Sequence, residues 1–563
     1  MPRFDPVEFR SHDDQAAYYG GFYPTEEWAR SLATVPRDQR ANPHYLDRVR
    51  MADDEWVASL RERVDGYLLL EPEELLGLAP RRNRIAGNAR LNNVAPKCPC
   101  GHNARLTWRP DDPDRIWCPE GHEVDPFELF PETGRIEITG PKGDAQVYPY
   151  HDASDGRRIY LLGEYMDNVR IHCLSEAADL LAMLYRATDD LAYARRSAAI
   201  AYDFACAVPH WPKIHRGLTS VASEEERFRP VDEQVSHAGI WRDRNHAGLK
   251  GIAGVVAYDL VVDAQVWDAL DRLAEGRDAR RVVEEDLFLY LTRDAVRADV
   301  HFPQPSYALR NHIPSQCEGM IAIGKAAGIP EIVHYAFWKL RQMEEKTIMA
   351  DSTFPESMSY GAMHLYGMAE AASEGEGYSD PPGFCSTIDG NRFDNLDLPQ
   401  QLPGLHRAID VLKTMVYPDG NYIQAHDTTY WSGGGREPVP DTVKPILYPA
   451  FGHAVLGRGD RARGDQIQAH LHYSGNWGHD HEDMLNLMVW AYGEELVSDF
   501  GKIMTYRLFA DGSWGHNLVV VDRQNQESVS RPGSIVGWHA PQNEVQVIEA
   551  SDPAVYPQCE VYR

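Results

Sequence analysis

The sequence predicts a multidomain α+β protein in which a helical region precedes an antiparallel β region. Between about residues 155 and 415, apolar residues recur at spacings of three and four, the period of an amphipathic helix. After about residue 440, apolar and polar residues alternate in short runs such as QIQAHLHYS and NEVQVIEA, the period of a strand. With 563 residues, 43% of them hydrophobic, the chain can bury at least two cores.

Helical hairpins dominate the first of these regions. Runs such as CLSEAADLLAMLYRATDDLAYARRSAAIAYDFACAV and CEGMIAIGKAAGIPEIVHYAFWKLRQMEEKTI predict serial helices, and turn signals at Gly328-Ile329-Pro330 and Pro418-Asp419-Gly420 separate them. Stacked hairpins of this kind form a bundle, a solenoid or a closed (α/α) toroid. No strict sequence repeat selects one of the three.

The pattern divides the chain into four parts. Residues 1–95 predict a helical lead-in, 96–150 a zinc-knuckle-like insertion, 151–440 a domain of helical hairpins, and 441–563 an antiparallel β domain. The runs MLNLMVWAY, HNLVVVD and GSIVGWHA predict further strands of this β domain. Because the sequence ends on the strand-like run YPQCEVYR, we expect the β domain to be incomplete within it.

The formal charge of −29 argues against general binding to nucleic acids or anionic membranes, because both require a positive surface. No stretch approaches the about 18 consecutive apolar residues of a membrane-spanning helix. The first residues, MPRFDPVEFRSHDDQAAYYGG, lack the basic and apolar regions of a signal peptide, and eight cysteines are too few for a disulfide scaffold. We expect a cytoplasmic protein as the sequence is written, or a periplasmic or secreted one if a leader precedes it.

Two matching pentapeptides, CPCGH and CPEGH, occur in the predicted insertion. Each places a thiol and an imidazole on either side of a Pro/Gly turn. Together they offer the four nitrogen and sulfur ligands of a closed, structural zinc site, namely Cys98, His102, Cys118 and His122. Cys100 aligns with Glu120 and is an alternative to His102.

A second cluster of ionisable residues lies in HYSGNWGHDHEDMLNLMVWAYGEELVSDFG, residues 472–501. A strand through this stretch places alternate residues on one inner face, namely His479, His481, Asp483, Leu485, Leu487, Val489 and Ala491. His516 is in phase with the apolar run that follows it. Histidines and a carboxylate on neighbouring strands predict a zinc site, and buried histidines bonded to backbone carbonyls are the alternative.

The same residues resemble a known family. GHDHEDMLNLMVWAYGEELVSDFG, followed by YRLFADGSWGHNLVVVD, is similar to the signature of the heparinase II/III-type polysaccharide lyases over roughly residues 470–525. The resemblance implies an N-terminal (α/α) incomplete toroid of helical hairpins followed by an antiparallel β-sandwich domain. It also implies a structural zinc ion on His481, Asp499 and His516.

The resemblance further implies an active site. Its catalytic residues are expected at Asn311, His312, Tyr360 and His479, and the pair Asn245-His246 is a second candidate with a less suitable spacing to Tyr360. Substrate contacts are expected from Arg310, Glu356, Tyr430 and Arg436. The alternative is that His312 and Tyr360 have no catalytic role and only pack in the core, with their polar ends hydrogen-bonded.

Such a site predicts β-elimination on an acidic polysaccharide or oligosaccharide. A lyase removes the C5 proton of a uronic acid and expels the oxygen at C4, so its site must neutralise the carboxylate and supply a base and an acid. The alternatives are an inverting glycoside hydrolase with two carboxylates on a toroid, or a non-catalytic glycan-binding protein. We expect zinc at one or two sites, no organic cofactor, no nucleic-acid or membrane partner and a possible homo-oligomer, and the sequence does not select the glycan.

Overall fold

The computed structural model describes residues 9–40, 53–82, 106–124, 131–152, 154, 158–159, 161–211, 214–215, 238–239, 254–300, 311, 313–430, 439–503, 506–542 and 544–563. Within these residues a mostly helical part precedes a mostly β part, which confirms the mixed class and its order. Among the described helices, none is both long enough and apolar enough to cross a lipid bilayer.

Helices account for most of the described chain before residue 413. They are α1 (His12–Tyr18), α2 (Glu26–Ser31), α3 (Asp54–Leu68), α4 (Leu161–Thr188), α5 (Leu191–Ala207), α6 (Val255–Val261), α7 (Asp268–Leu273), α8 (Ala279–Val282), α9 (Tyr290–Val300), α10 (Ile313–Ala327), α11 (Pro330–Thr347), α12 (Met358–Ser373), α13 (Leu398–Gln401) and α14 (Leu405–Leu412). A π-helical segment, Val283–Leu289, joins α8 to α9, and single 3-10 turns span Arg37–Gln39, Pro72–Leu75 and Val208–His210.

Two helical hairpins show how the local sequence sets the turns. Between α4 and α5, Asp189 takes a left-handed φ of 57°, and the carboxylate of Asp190 accepts the N–H of Ala192 at 2.9 Å. Between α10 and α11, Gly328 has a φ of 69° and Pro330 opens the next helix, where its missing N–H costs nothing. The break at Gly328 lies where the sequence predicts it, the break at Asp189 was not predicted, and closure of the hairpins into a toroid stays a prediction.

Small antiparallel sheets lie beside the helices. One contains β1 (Thr107–Arg109), β2 (Asp112–Trp117) and β3 (Glu123–Val124), and another contains β4 (Gly134–Thr139), β5 (Ala145–Asp152) and β6 (Arg158–Ile159). The strands β7 (Ile214–His215) and β8 (Ala238–Gly239) form a short pair. The buried ring of Trp108 on β1 packs beneath Arg170 of α4, whose guanidinium carbon lies 5.3 Å from the ring centre. The first sheet is thereby attached to the helical part.

The β part is organised around one antiparallel sheet with the strand order β13-β12-β11-β10-β9. Its strands are β9 (Ile446–Tyr448), β10 (His453–Arg458), β11 (Ile467–His472), β12 (Asn486–Ala491) and β13 (Glu494–Val497), followed by α15 (Arg507–Ala510), β14 (Ser534–His539) and β15 (Val547–Ser551). Single 3-10 turns span Ser513–Gly515 and Pro553–Val555. Strands β14 and β15 pair with each other.

The two faces of the five-stranded sheet belong to different cores. Met488 and Trp490 on β12 join the helical core, so this face packs against the helices. Ala454 and Tyr473 belong to a second apolar cluster that includes Ala550 of β15. The sheet is therefore the layer that connects the helical part to the remaining strands. A complete β-sandwich stays a prediction.

Three strand predictions are wrong, and one of them is the final run YPQCEVYR, residues 556–563, which forms no strand. Residues 516–522, HNLVVVD, form no strand, and the segment from His479 to Leu485 is a loop that ends where β12 begins at Asn486. His479 and Leu485 have left-handed φ values of 47° and 67°, which interrupt the extended alternation. As a result, Met488 is fully buried and Leu487 is 42% exposed, the reverse of the parity predicted from the sequence.

This reversed parity has a measurable consequence. We expect Met488→Ala to lower the free energy of unfolding by about 2–5 kcal/mol, because it leaves a cavity between the sheet and the helices. Leu487→Ala on the opposite face is the matched control and should cost about 0.5–1 kcal/mol. Urea unfolding followed by circular dichroism measures both. A larger decrease in the free energy of unfolding for Leu487→Ala would show that Leu487, as the sequence predicts, is the side chain that faces the helices.

Candidate functional site

Tyr360 lies in the first turn of α12, and a segment of the chain about seventy residues later fixes the start of this helix. The N–H of Met358 donates to the Thr428 hydroxyl at 3.0 Å. The Ser359 hydroxyl donates to the carbonyl of Asp427 at 3.3 Å. These bonds satisfy polar groups at a helix N-terminus, where the first N–H groups have no partner within the helix. The position of the Tyr360 ring is therefore set by residues 427–429.

His479 is brought against Tyr360 by the same segment. The N–H of Asp427 donates to the carbonyl of His479 at 3.0 Å, and the two rings of His479 and Tyr360 stack 3.7 Å apart at an angle of 9°. Nδ1 of His479 lies 3.1 Å from Oε1 of Glu356. The carboxylate accepts a hydrogen bond from the Nδ1–H, and the His479 side chain as a whole is 37% exposed. The structure thus brings together three residues that the sequence singled out.

Lys502 completes this cluster and was not predicted. Its ammonium donates to the Tyr360 hydroxyl at 2.7 Å and lies 4.7 Å from the centre of that ring. The backbone N–H of Lys502 donates to the carbonyl of Thr428 at 2.9 Å, so the same segment positions it. A lone lysine after the SDFG run carries no pattern of spacing or periodicity, which explains why the sequence did not indicate it.

Asp427 is the buried anion of the cluster. Burial opposes its ionisation, but the hydrogen bond with His481 and the charges of Lys502 and Arg507 together lower the pKa of Asp427 to about 2. Its Oδ2 lies 3.7 Å from the Lys502 ammonium and 3.1 Å from the Arg507 guanidinium. Asp427 therefore holds two cations beside Tyr360, and no sequence pattern marked it.

A group that can hold a metal lies next to this cluster, formed by His481, Asp483 and His516. One ligand atom of each lies within 4.8 Å of those of the others. Two buried atoms of the group have no hydrogen-bond partner among the described residues, namely Nδ1 of His481 and Nε2 of His516. Oδ1 of Asp483 lies 3.0 Å from Nδ1 of His426. Orphaned buried atoms of this kind are costly unless something binds them.

The second nitrogens of both imidazoles are held by carboxylates. His481 places Nε2 3.3 Å from Asp427 and 3.2 Å from Asp511, and His516 places Nδ1 2.7 Å from Asp499. Each carboxylate accepts the N–H, so the lone pair of each ring lies on the other nitrogen. Metal-bound histidines are held in this way, and two imidazoles with a carboxylate suit zinc.

Asp499, the predicted third ligand, lies behind His516 instead. Its Oδ2 accepts the N–H of His516 and, at 2.9 Å, the side-chain amide of Asn486. Asp483 takes its place in the group because the loop before β12 turns that side chain inward. Asp499 thus contacts a histidine of the group and is not itself a member of the group, while its predicted role as a direct ligand stays a prediction.

Buried imidazoles behind the group form a chain of hydrogen bonds through His426, His472, His453, His470, Gln468 and Gln466. The successive ring nitrogens are 3.2, 3.3 and 3.1 Å apart, and His470 lies 2.9 Å from the Gln468 carbonyl oxygen. The backbone N–H of His481 begins the chain at Nδ1 of His426, and the carbonyl of Asp441 ends it.

This chain has one consistent direction. Burial lowers the pKa of His470 and of His472 to about 3, so both rings are neutral with one N–H each. Since the carbonyl of Asp441 only accepts, each ring in turn must donate toward it and accept from the ring before it. The rings of His472, His453 and His470 are thereby satisfied without charge. At the start of the chain burial opposes protonation of His426, but the Asp483 carboxylate 3.0 Å from its Nδ1 raises the pKa of His426.

The remaining predicted residues divide into described and undescribed ones. Asn311 precedes α10, and its side-chain Nδ2 is buried with no hydrogen-bond partner among the described residues. Tyr430 is 52% exposed. Cys118 and His122 form half of the predicted knuckle, with Sγ and Nδ1 3.5 Å apart. The following predicted residues lie outside the described ranges: Cys98, His102, Arg310, His312, Arg436 and the alternative pair Asn245-His246.

Comparison with known proteins adds structural neighbours. No protein-family profile and no curated protein matches this chain. Among solved structures, one heparinase III is 14% identical with a TM-score of 0.45, covering 72% of this chain and 63% of that chain. This chain is similar to heparinase-type lyases. Heparan sulfate lyase HepC from Pedobacter heparinus is 12% identical with a TM-score of 0.48, covering 97% and 71%.

The heparinase-type neighbours do not by themselves define an activity. A further heparinase III structure is 12% identical with a TM-score of 0.40, and this chain covers 58% of it. This chain also spans less than two thirds of the length of the first heparinase III. A catalytic role therefore depends on the side chains of the site and not on the overall similarity.

Proposed function

We propose that this chain is a polysaccharide lyase that cleaves uronic-acid-containing poly- or oligosaccharides by β-elimination. The observation that carries the proposal is the stack of Tyr360 on His479 with the Lys502 ammonium on the phenol oxygen. A phenol beside a cation and an imidazole is suited to take and return a proton next to an anionic sugar. The similarity of the sequence signature to heparinase II/III-type lyases supports the same reaction.

In the proposed reaction Tyr360 transfers the proton. Its phenolate takes the C5 proton, the electrons of the C5–H bond form the C4–C5 double bond, and the C4–O bond breaks. The departing oxygen then receives the proton from the Tyr360 hydroxyl, so the enzyme returns to its starting state. His479 contributes its imidazole, and the buried Asn311 amide, whose Nδ2 has no hydrogen-bond partner among the described residues, is the proposed donor to the sugar carboxylate. His312 stays a candidate for the same carboxylate.

The proposal extends to the architecture implied by the resemblance. Residues 151–440 form the proposed toroid that carries Tyr360, and residues 441–563 form the proposed β-sandwich that presents His479. The proposed substrate contacts are Glu356, which would act through His479, together with Arg310, Tyr430 and Arg436. We propose no single glycan, because the chain's described residues select none among the uronic-acid polymers.

We also propose two structural zinc ions. One binds His481, Asp483 and His516, with Asp499 holding His516 in orientation. The other binds the knuckle, where the 3.5 Å between Cys118 Sγ and His122 Nδ1 suits two ligands of one tetrahedral ion. Cys98 and His102 supply its other two ligands on the sequence pattern. In the proposed reaction both ions are structural, and neither takes part in a catalytic step.

The zinc ligands can be separated by substitution. We expect His516→Gln to lose one zinc per chain, because a ligand is removed. Asp499→Asn should keep that ion with affinity lower by about 10–100-fold, because only the support of a ligand weakens. Mass spectrometry of metals after dialysis against a graded chelator measures both, with Cys118→Ser reporting the knuckle ion separately. Equal, complete loss in both variants would return Asp499 to the ligand set.

The reaction itself can be tested by ultraviolet absorbance. Elimination creates a conjugated C4–C5 double bond that absorbs, so we expect absorbance to rise with at least one polymer among alginate, heparan-type chains, hyaluronan, chondroitin, ulvan and glucuronan. Tyr360→Phe should lower the rate by about 10²–10⁴-fold, because the proton carrier is removed. Tyr492→Phe is the control, since that side chain is 88% exposed at the turn between β12 and β13.

The same assay separates the competing functions. New reducing ends without ultraviolet absorbance would indicate a glycoside hydrolase. Glycan binding without any cleavage would indicate a binding protein. Unchanged turnover in Tyr360→Phe would remove Tyr360 from the mechanism.

A further inference from the structure

We propose that Lys502, held in place by Asp427, is the cation that allows Tyr360 to act as both base and acid. This inference rests on the proposed elimination and adds a residue to its site. It starts from the geometry of one ammonium group, which contacts the phenol oxygen of Tyr360 and the carboxylate of Asp427.

The contact between Lys502 and Tyr360 is directed at the reacting atom. The ammonium lies 2.7 Å from the phenol oxygen, closer than the 3.7 Å that separates it from Oδ2 of Asp427. Lys346 lies a similar distance from the ring centre of Tyr18, 4.6 Å against 4.7 Å for Lys502 and Tyr360, but the Lys346 ammonium donates to Glu345. Lys502 instead donates a hydrogen bond to the atom that gains negative charge when the phenol ionises.

A cation at this position solves a specific chemical problem. An ordinary phenol has a pKa of about 10 and is a poor base near neutral pH. The substrate carboxylate adds a second negative charge close by, which opposes phenolate formation further. An ammonium in contact with the oxygen stabilises the phenolate before the C5 proton is taken, and it stays in place while the proton is passed to the leaving oxygen.

Asp427 positions the ammonium without cancelling its effect. The carboxylate of Asp427 also pairs with Arg507 and His481. Its negative charge is therefore divided among three partners and does not cancel the positive charge of Lys502. The backbone of Lys502 is also fixed through the carbonyl of Thr428. Within the described ranges, the charged groups that face Tyr360 are thus Lys502, the Asp427 carboxylate behind it and, through His479, Glu356.

The test compares variants of Lys502 in the full chain. We expect Lys502→Met to lower kcat by about 100-fold with little change in KM, and to move the pH dependence of kcat toward higher pH. Lys502→Arg keeps the charge and should recover most of the activity. Lys346→Met removes a lysine–tyrosine contact elsewhere and should leave kcat and its pH dependence unchanged.

The outcomes distinguish a failure of the proposed role of Lys502 from a failure of the proposed elimination. If Lys502→Met keeps its kcat and pH profile while Tyr360→Phe is inactive, this inference is overturned and the proposed elimination stands. If Tyr360→Phe is also fully active, the proposed function fails with it. Circular dichroism confirms folding, and Lys502→Gln is a second uncharged variant should the methionine variant not fold. A rate loss in Lys502→Gln that Lys502→Arg does not recover would reduce Lys502 to a structural contact.

Discussion

The hydrogen bonds of Asp427 and Thr428 are the constraint on which the candidate site depends. The Asp427 N–H binds the loop that carries His479, the Thr428 hydroxyl binds the start of α12, and the Thr428 carbonyl binds Lys502. Thr428 is fully buried, so water does not compete for these bonds. Three segments that are distant in sequence therefore meet at Asp427 and Thr428, which follow a bend at His426. The spacing of Tyr360, His479 and Lys502 follows from backbone geometry rather than from flexible side chains.

The polar interior behind this segment combines two ways of satisfying buried groups. Around Asp427 the groups are charged and paired, with Arg507 and Lys502 on one carboxylate. Along the histidine chain the rings of His472, His453 and His470 are neutral, and each ring donates in the same direction. Between the two lie ring nitrogens of His481 and His516 with no hydrogen-bond partner among the described residues, beside the Asp483 carboxylate that pairs with His426. A metal ion would bind both nitrogens and this carboxylate at once, which links the stability of the β12 loop to the orientation of His479.

Part of this arrangement could be read from the sequence. The period of the apolar residues predicted the helical hairpins, and Gly and Pro marked their turns correctly. The motif around GHDHED, with Glu356 and Tyr360, identified residues that meet although Glu356 and His479 are 123 positions apart. The strand parity failed because left-handed residues at His479 and Leu485 reset the alternation, and side chains of ordinary composition give no warning of such a φ. Lys502 and Asp427 were missed for a related reason, since single charged residues carry no period.

The sequence by itself determined the order of helical and β parts, the turn positions and the residue types available for acid–base chemistry and metal binding. These depend on local properties, namely hydrophobic period, backbone preference and side-chain chemistry. Only the tertiary structure decided which carboxylate faces the histidines, which cation reaches Tyr360 and which face of β12 meets the helices. Those choices depend on contacts between distant segments and on a few backbone angles, so a one-residue change in the path of a loop moves a side chain from one face to the other.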